Sequence, residues 1–334
     1  MSVIKNRYEF MFYLACKDAN PNGDPDMDNL PRADPDTNLG YITDVAIKRR
    51  IRDYVAMAHG FEPGMALMME AGTNKNRKIA EAKAAAGIKL DDVSSEAIDA
   101  SRLKACELFY DVRAFGAVLS TGPNAGQVLG PVQIAFARSL DPVEPIDIGI
   151  TSCSRANEVK GAKTVQDYVD DEKKTNPDKM QGMGRKTFIP FGLYEVHGFV
   201  SANLAAQTGF REEDLNYLFE AVANMYDATR SASKGTMSVV SPVIIFKHSG
   251  RANVSPEEQE RSAKLGRAPA HKLFELVRCR KIDVDKTPAD YRDYACEVNV
   301  SGRPDGIDIG FFASYGSGIT WNQLPAGEDW VVVK

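Results

Sequence analysis

Four cations, Lys48, Arg49, Arg50 and Arg52, crowd the stretch YITDVAIKRRIRDYV (41–55). Ammonium and guanidinium groups at that density can make charge-assisted hydrogen bonds to phosphate, although a solvated helix face is the commoner fate of such a run. More cations of this kind stand in loops: Arg32 in LPRAD, Arg230 and Lys234 in RSASKG, and Arg185 and Lys186 in MGRK. A second candidate is acidic, because Asp24, Asp26 and Asp28 alternate in GDPDMD. An EF-hand loop beginning at Asp24 needs Gly at its sixth position and a carboxylate at its twelfth. Asn29 and Pro35 stand there instead, so a calcium loop is excluded. A two-carboxylate magnesium site, as metal-dependent nucleases use, is left to weigh against plain turns closed by Asx hydrogen bonds.

Other chemistries find no footing. There is no GxxxxGK followed by Ser or Thr, no GxGxxG between a strand and a helix, no HExxH and no serine elbow. The five cysteines (Cys16, Cys106, Cys153, Cys279 and Cys296) lie far apart without a CxxC, so neither a zinc site nor a disulfide framework is indicated. The four histidines are equally scattered, and none is assigned to catalysis. No cofactor or metal is expected. With 41 basic and 46 acidic residues the chain carries a formal charge of −5, which excludes a surface coated in cations but not a local basic patch. No run approaches the roughly 18 apolar residues that span a bilayer. The N-terminal MSVIKNRYEFMFYLA has no small-residue cleavage site, so a cytoplasmic protein without membrane contact is expected.

The elements that would position these groups follow in chain order. RYEFMFYLACK (7–17) is aromatic-rich and reads as a strand, followed by a long loop of Asn, Asp, Pro and Gly that is too long to be idle. In the basic stretch Thr43 can cap a helix, Asp44 suits its positive end, and Ile47, Ile51 and Val55 recur along one face. Residues 59–107 are Ala- and Lys-rich with a capping pattern at Ser94 and Ser95, which predicts a helical insertion. FYDVRAFGAVLS (109–120) and PVQIAFARSL (131–140) read as strands. The polar run 153–186 reads as an exposed arm, 187–205 as a long strand, 211–229 as a helix and 237–248 as a buried strand. The core order is then β, α, β, insertion, β, α, β, an α+β fold with an RRM-like or ferredoxin-like antiparallel sheet. In the remainder, ACEVNV and GIDIGFF around SGRPDG predict a hairpin. The aromatic motifs of an RNA-binding sheet are missing, HGFVS being only a fragment, so any RNA would be held by its phosphates.

Several motifs in order, ANPNGDPD, LPRAD, YITDVAIKRRIRDYV, DVRAFG, MGRK, FGLYEVHGFVSANLA and RSASKG, resemble the backbone subunit of CRISPR Cascade complexes, a branch of the RAMP group. The likeness is nearest to the type I-C version and runs from about residue 7 to 250. It implies an RRM-like palm (1–56, 108–152 and 187–250), helical fingers (57–107), a thumb arm (153–186) and an extension packed on the palm (251–334). It also implies stacking of copies head to tail on a crRNA, which pairs with target DNA beside other Cascade subunits and a recruited helicase-nuclease. Carried over by position, Arg32, Lys48, Arg49, Arg52, Arg230 and Lys234 would bind the guide. Met180, Met183, Arg185 and Lys186 would act at the thumb, where the guide is kinked. Such a subunit is not an enzyme. The alternative is a metal-dependent ribonuclease of the related type III backbone kind, using Asp24 and Asp26.

Overall fold

The aromatic-rich segment forms the strand Tyr8–Ala19, and it lies inside a ten-stranded antiparallel sheet. The chain is represented by a computed structural model that describes residues 2–314 and 316–323. The last residues of the expected extension, 324–334, lie outside the described residues. Apolar and aromatic side chains run unbroken from Phe10 to Cys16 because both faces of the strand are buried there. Phe10, Phe12, Leu14 and Cys16 enter one core, while Met11, Tyr13 and Ala15 enter a second on the other side.

Four strands make the centre of the sheet, in the order Val243–His248, Tyr8–Ala19, Gly182–Val200, Ala137–Pro142. Numbered along the chain, that is fourth, first, third, second. The helices Asp44–His59 and Glu212–Ala228 share the first core, to which Ile47, Ile51 and Val55 contribute from one and Leu215, Phe219 and Val222 from the other. The second face is covered by the C-terminal segments, through Leu273, Val277, Tyr294 and Cys296. The molecule is thus a mixed α+β, three-layer arrangement in which the central strands of the sheet are covered on both faces.

Several predicted elements are corrected by their surroundings. Of the strand expected over 109–120 only Gly116–Val118 forms, because Tyr110–Phe115 is a helix, every residue of which is buried. Tertiary partners override its β-like composition, because Asp111 accepts hydrogen bonds from the Met68 and Met69 amides (2.8 and 3.0 Å) and from Arg52 (2.9 Å). PVQIAFARSL divides into Val132–Ile134 and Ala137–Pro142, with one extra residue relative to Gly182–Val200, a bulge that turns Phe136 outward onto Tyr41. The run 237–248 likewise divides into Thr236–Val239 and Val243–His248, and Ser241 Oγ takes the Tyr13 amide between them (2.9 Å). The predicted C-terminal hairpin is absent. Tyr294–Val298 pairs with Val277–Lys281, and Ile307–Phe312 extends the main sheet beside Val243–His248. That pairing sets Cys279 opposite Cys296, and the two are joined as a disulfide, against the expectation of none. Spacing along the sequence carried no trace of this long-range register.

The Ala- and Lys-rich stretch forms two long helices, and the packed unit they belong to continues beyond them. Helices Lys75–Ala85 and Ser95–Leu108 share a small core with Phe109, Val112, Leu119, Ala125 and Val128, so this unit continues through the paired strands Gly116–Val118 and Gln127–Leu129. Lys83, fully buried, satisfies its ammonium with three carbonyls, Leu90 (3.2 Å), Asp92 (2.6 Å) and Pro123 (2.6 Å). The unit is fastened to helix Glu212–Ala228 by Arg113, whose guanidinium makes a bidentate pair with Asp214 at 3.0 and 2.7 Å. A second buried polar group ties the first strand to the C-terminal segments. His248 Nε2 lies 2.6 Å from Glu9, and its Nδ1 accepts the Arg267 amide, also at 2.6 Å. No helix among the described residues is long and apolar enough to cross a membrane.

Candidate nucleic-acid interface

The end of the central strand is where the polar segments meet. Beyond Ala19 the long loop turns at Asn20 and is held from several sides. Asn22 Oδ1 accepts from the amide and the hydroxyl of Thr43 (2.9 and 3.0 Å), which pins the loop to the start of the basic helix. The Asn20 amide donates to Ser233 O (2.9 Å), and Lys234 Nζ donates to Asn20 O (3.1 Å) and Pro21 O (2.7 Å). Gly235 completes this contact. Its φ of +44° and the Asp18 carbonyl, 2.4 Å from where a Cβ would stand, leave room for no side chain.

The arm supplies the third wall. Strand Ile146–Ser152 pairs with the first residues of Gly182–Val200, from Gly182 opposite Ser152 to Phe188 opposite Ile146. The ladder therefore begins at Ile146, before the expected start of the arm at 153, and its second strand runs without a break into the central sheet. Ile146, Ile148 and Ile150 line one face of this ribbon, and all are exposed. Asp147, Thr151, Met183 and Arg185 belong to the other face, where Thr187 donates to Asp147 at 2.7 Å. Lys186 at the base reaches Ala232 O in the RSASKG loop (2.9 Å). Between loop, arm base and RSASKG lies an open cleft of about 450 Å³ whose lining includes Asn20, Thr187 and Ser233, the cations Arg185 and Lys186, and the carboxylates Asp28 and Asp147.

The predicted binding residues divide between outside and inside. Arg49 is half exposed and paired with Asp53 on its own helix (2.6 Å). Arg230 is half exposed beside Asp227, Arg185 is exposed, and Met183 is 88% exposed at the ribbon, whereas Met180 is half-buried. The other cations turn inward. Lys48 is 9% exposed, bonds Asp44 (3.0 Å) and sits over the Phe115 ring. Arg52 pairs with Asp111 (2.9 Å) over the same ring, and Arg32 pairs with Asp24 (2.9 Å). Lys48, Arg52 and Arg32, expected as guide-binding cations, are thus each held in an ion pair within the chain. Lys234 is a loop fastener for the same reason. Asp24 is occupied twice over, since it also accepts the Asp26 amide (3.1 Å) that caps the turn Pro25–Met27. Among the described residues no three His, Cys, Asp or Glu side chains gather as a metal site. Sequence reasoning missed Asn20, Thr187 and Ser233, whose only signal was their place beside the motifs.

Burial, with Arg50 nearby, pushes the Lys234 ammonium down from 10.5 to about 8. Between those values the unfolded chain holds a proton that the folded chain has released. The unfolded state binds more protons, so the unfolding free energy rises with pH across that window. Relative to Lys234→Met, the wild-type chain should gain on the order of 2 kcal/mol from pH 8 to 10.5, read by denaturant titration. A constant difference between the two would refute the assignment.

A family model described as "CRISPR-associated protein Cas7" matches residues 6–300. The chain belongs to this family. A Haloferax volcanii relative described as CRISPR-associated protein Cas7 is 29% identical over 238 residues, which are 64% of this chain and 62% of that relative. The chain therefore matches less than two thirds of the length of its Cas7 relative. Looser structural likenesses are found to a chain of a "CRISPR RNA-guided surveillance complex, pre-nicking" (TM-score 0.44, 14% identity, 76% of this chain and 82% of that one). Another is to a chain of the "Type III-B Cmr-beta bound to cognate target RNA" (TM-score 0.35, 12% identity, 70% and 59%). At these TM-scores the likeness carries no weight for function. In this Cas7-family chain LPRAD, DVRAFG and the basic helix are tied together internally by the Arg32–Asp24, Arg52–Asp111 and Lys48–Asp44 pairs.

Proposed function

We propose that this chain is a non-catalytic, guide-RNA-binding backbone subunit of a type I-C Cascade complex. Copies of it stack head to tail along a crRNA, hold the RNA by its backbone and leave its bases to pair with target DNA. The observation that carries this reading is the convergence of loop, arm base and RSASKG on one cleft, with Arg185 and Lys186 at its wall. Both faces of the central strands are covered, so stacking bases on the centre of the sheet is closed off and backbone contacts remain. The fourth-first-third-second strand order, with two helices on one face, supports reading the sheet as an RRM-like palm. The insertion is then the fingers, the ribbon from Ile146 the thumb with Met183 as its base-kinking residue, and the C-terminal segments an extension on the palm. Other Cascade subunits close the filament, and a recruited helicase-nuclease cuts the DNA.

The rival reading, a metal-dependent ribonuclease built on Asp24 and Asp26, is disfavoured by the pairing of Asp24 with Arg32 and with its own turn. The test is purification from the host, followed by sequencing of co-purifying RNA. Repeat–spacer guides are expected. An RNA-free protein, or magnesium-dependent cleavage of guide-complementary RNA abolished by Asp24→Ala, would overturn the proposal.

A further inference from the structure

We infer that a small pocket beside the ribbon base, walled by prolines and Phe191 and carrying two carboxylates, receives an arginine side chain from a partner protein. Its walls are Pro142, Pro190, Phe191 and Pro288, each of which reaches solvent at least in part. The pocket holds about 180 Å³. Sites for drug-sized ligands run to roughly 300–1,000 Å³, so this one suits a single side chain and not a nucleotide. Pro190 and Phe191 belong to strand Gly182–Val200, and Glu144 in the lining stands just ahead of Ile146. A protein seated here therefore touches the root of the ribbon. The inference does not depend on what the cleft binds.

The lining contains Asp141 and Glu144 but no Lys or Arg. Asp141 is already engaged. It accepts from the Tyr294 hydroxyl (2.6 Å), and its other oxygen lies 3.7 Å from Lys281 Nζ, which is not part of the lining. Glu144 is exposed and makes no ion pair among the described residues. An anion would be repelled here, and a neutral apolar group would leave Glu144 unused. A cation on an apolar stem answers both halves, with its methylenes against proline and phenylalanine and its charge at Glu144. Arginine suits this better than lysine. Its guanidinium is planar, weakly hydrated and able to rest on an aromatic ring, and its fork gives two hydrogen bonds to one carboxylate. The free amino acid fits poorly, because it would bring an α-carboxylate to a lining with two carboxylates and no cation. Within a protein chain that carboxylate is an uncharged peptide, so the source is a protein.

The test measures binding of the full chain to Nα-acetyl-arginine methylamide and to its citrulline counterpart, a neutral analogue of nearly the same shape, by ligand-observed NMR at millimolar concentrations. The arginine compound should bind about tenfold more tightly, as a hydrogen-bonded contact to a charged group implies. The lysine counterpart should fall between the two. Glu144→Gln, a change at an exposed residue without an ion pair to lose, should remove most of the preference. Equal binding of the arginine and citrulline compounds, binding of neither, or a preference that Glu144→Gln leaves intact would each overturn the inference. Tighter binding of the lysine compound would overturn the choice of arginine. Free L-arginine binding as tightly as the blocked compound would make this a metabolite site, and the partner protein would fall. None of these outcomes touches the nucleic-acid reading of the cleft.

Discussion

Arg113→Ala is expected to lower the unfolding free energy by about 3–5 kcal/mol, because it removes one partner of a buried ion pair and leaves the other charged. Asp214 is 3% exposed, and with Arg113 gone its carboxylate keeps, among the described residues, the Arg211 amide at 2.8 Å. The guanidinium also caps carbonyls of the insertion, Cys106 O at 2.7 Å and Gly64 O at 3.1 Å, and these would lose their donor as well. The damage should be global, since Arg113 joins the insertion to a helix of the main core. Arg113→Lys should recover little, because one ammonium cannot reproduce a two-pronged contact and serve the carbonyls too. Replacing both partners, as in Arg113→Met with Asp214→Leu, should cost much less than Arg113→Ala. Equilibrium denaturation of the set checks this. A cost below 1 kcal/mol for the single substitution would mean that the junction is wet or mobile in solution.

That residue also explains why part of the sequence reading failed. DVRAFG reads as strand from its aromatic and β-branched content, but its fate is set by Asp214, Arg52 and the Met68 and Met69 amides, all distant in the chain. Where burial follows from local pattern the reading succeeded. The Ile47, Ile51 and Val55 stripe and the continuous apolar run of the first strand each announce their packing, and they fix the β, α, β frame. Cations in the basic helix were harder, because a Lys or Arg sequence code is the same for an open contact and an internal pair. Lys48 and Arg52 differ from Arg49 only by facing Asp44, Asp111 and Phe115, a difference of helix phase that decides solvent access. Asn20 stayed invisible for a similar reason. Nothing in ANPNG says that its amide and carbonyl will fasten the RSASKG loop. The Cys279–Cys296 bond was hidden because strand partners far apart in sequence chose each other over the nearer hairpin.

Charge reversal at the arm base, Arg185→Glu with Lys186→Glu, is expected to weaken RNA binding roughly 100-fold near physiological salt. Each lost phosphate contact removes one released counterion, so the slope of log affinity against log salt should fall by about two, and the deficit should shrink as salt rises. Among the described residues Arg185 makes no ion pair to lose, and Lys186 gives up one contact, Ala232 O. Folding should therefore survive with little change. Lys48→Glu makes the opposite control. It would press a carboxylate against Asp44 at a 9% exposed position, and its effect should appear as lost stability before any change in the salt slope. The two variants thus separate a contact with RNA from a support beneath it. If Arg185→Glu with Lys186→Glu leaves both affinity and slope untouched while Arg49→Glu removes them, the RNA path runs along the basic helix and not through the cleft. If the reversed pair loses affinity at every salt concentration alike, the arm base acts through shape, and the phosphate contact assigned to it is wrong.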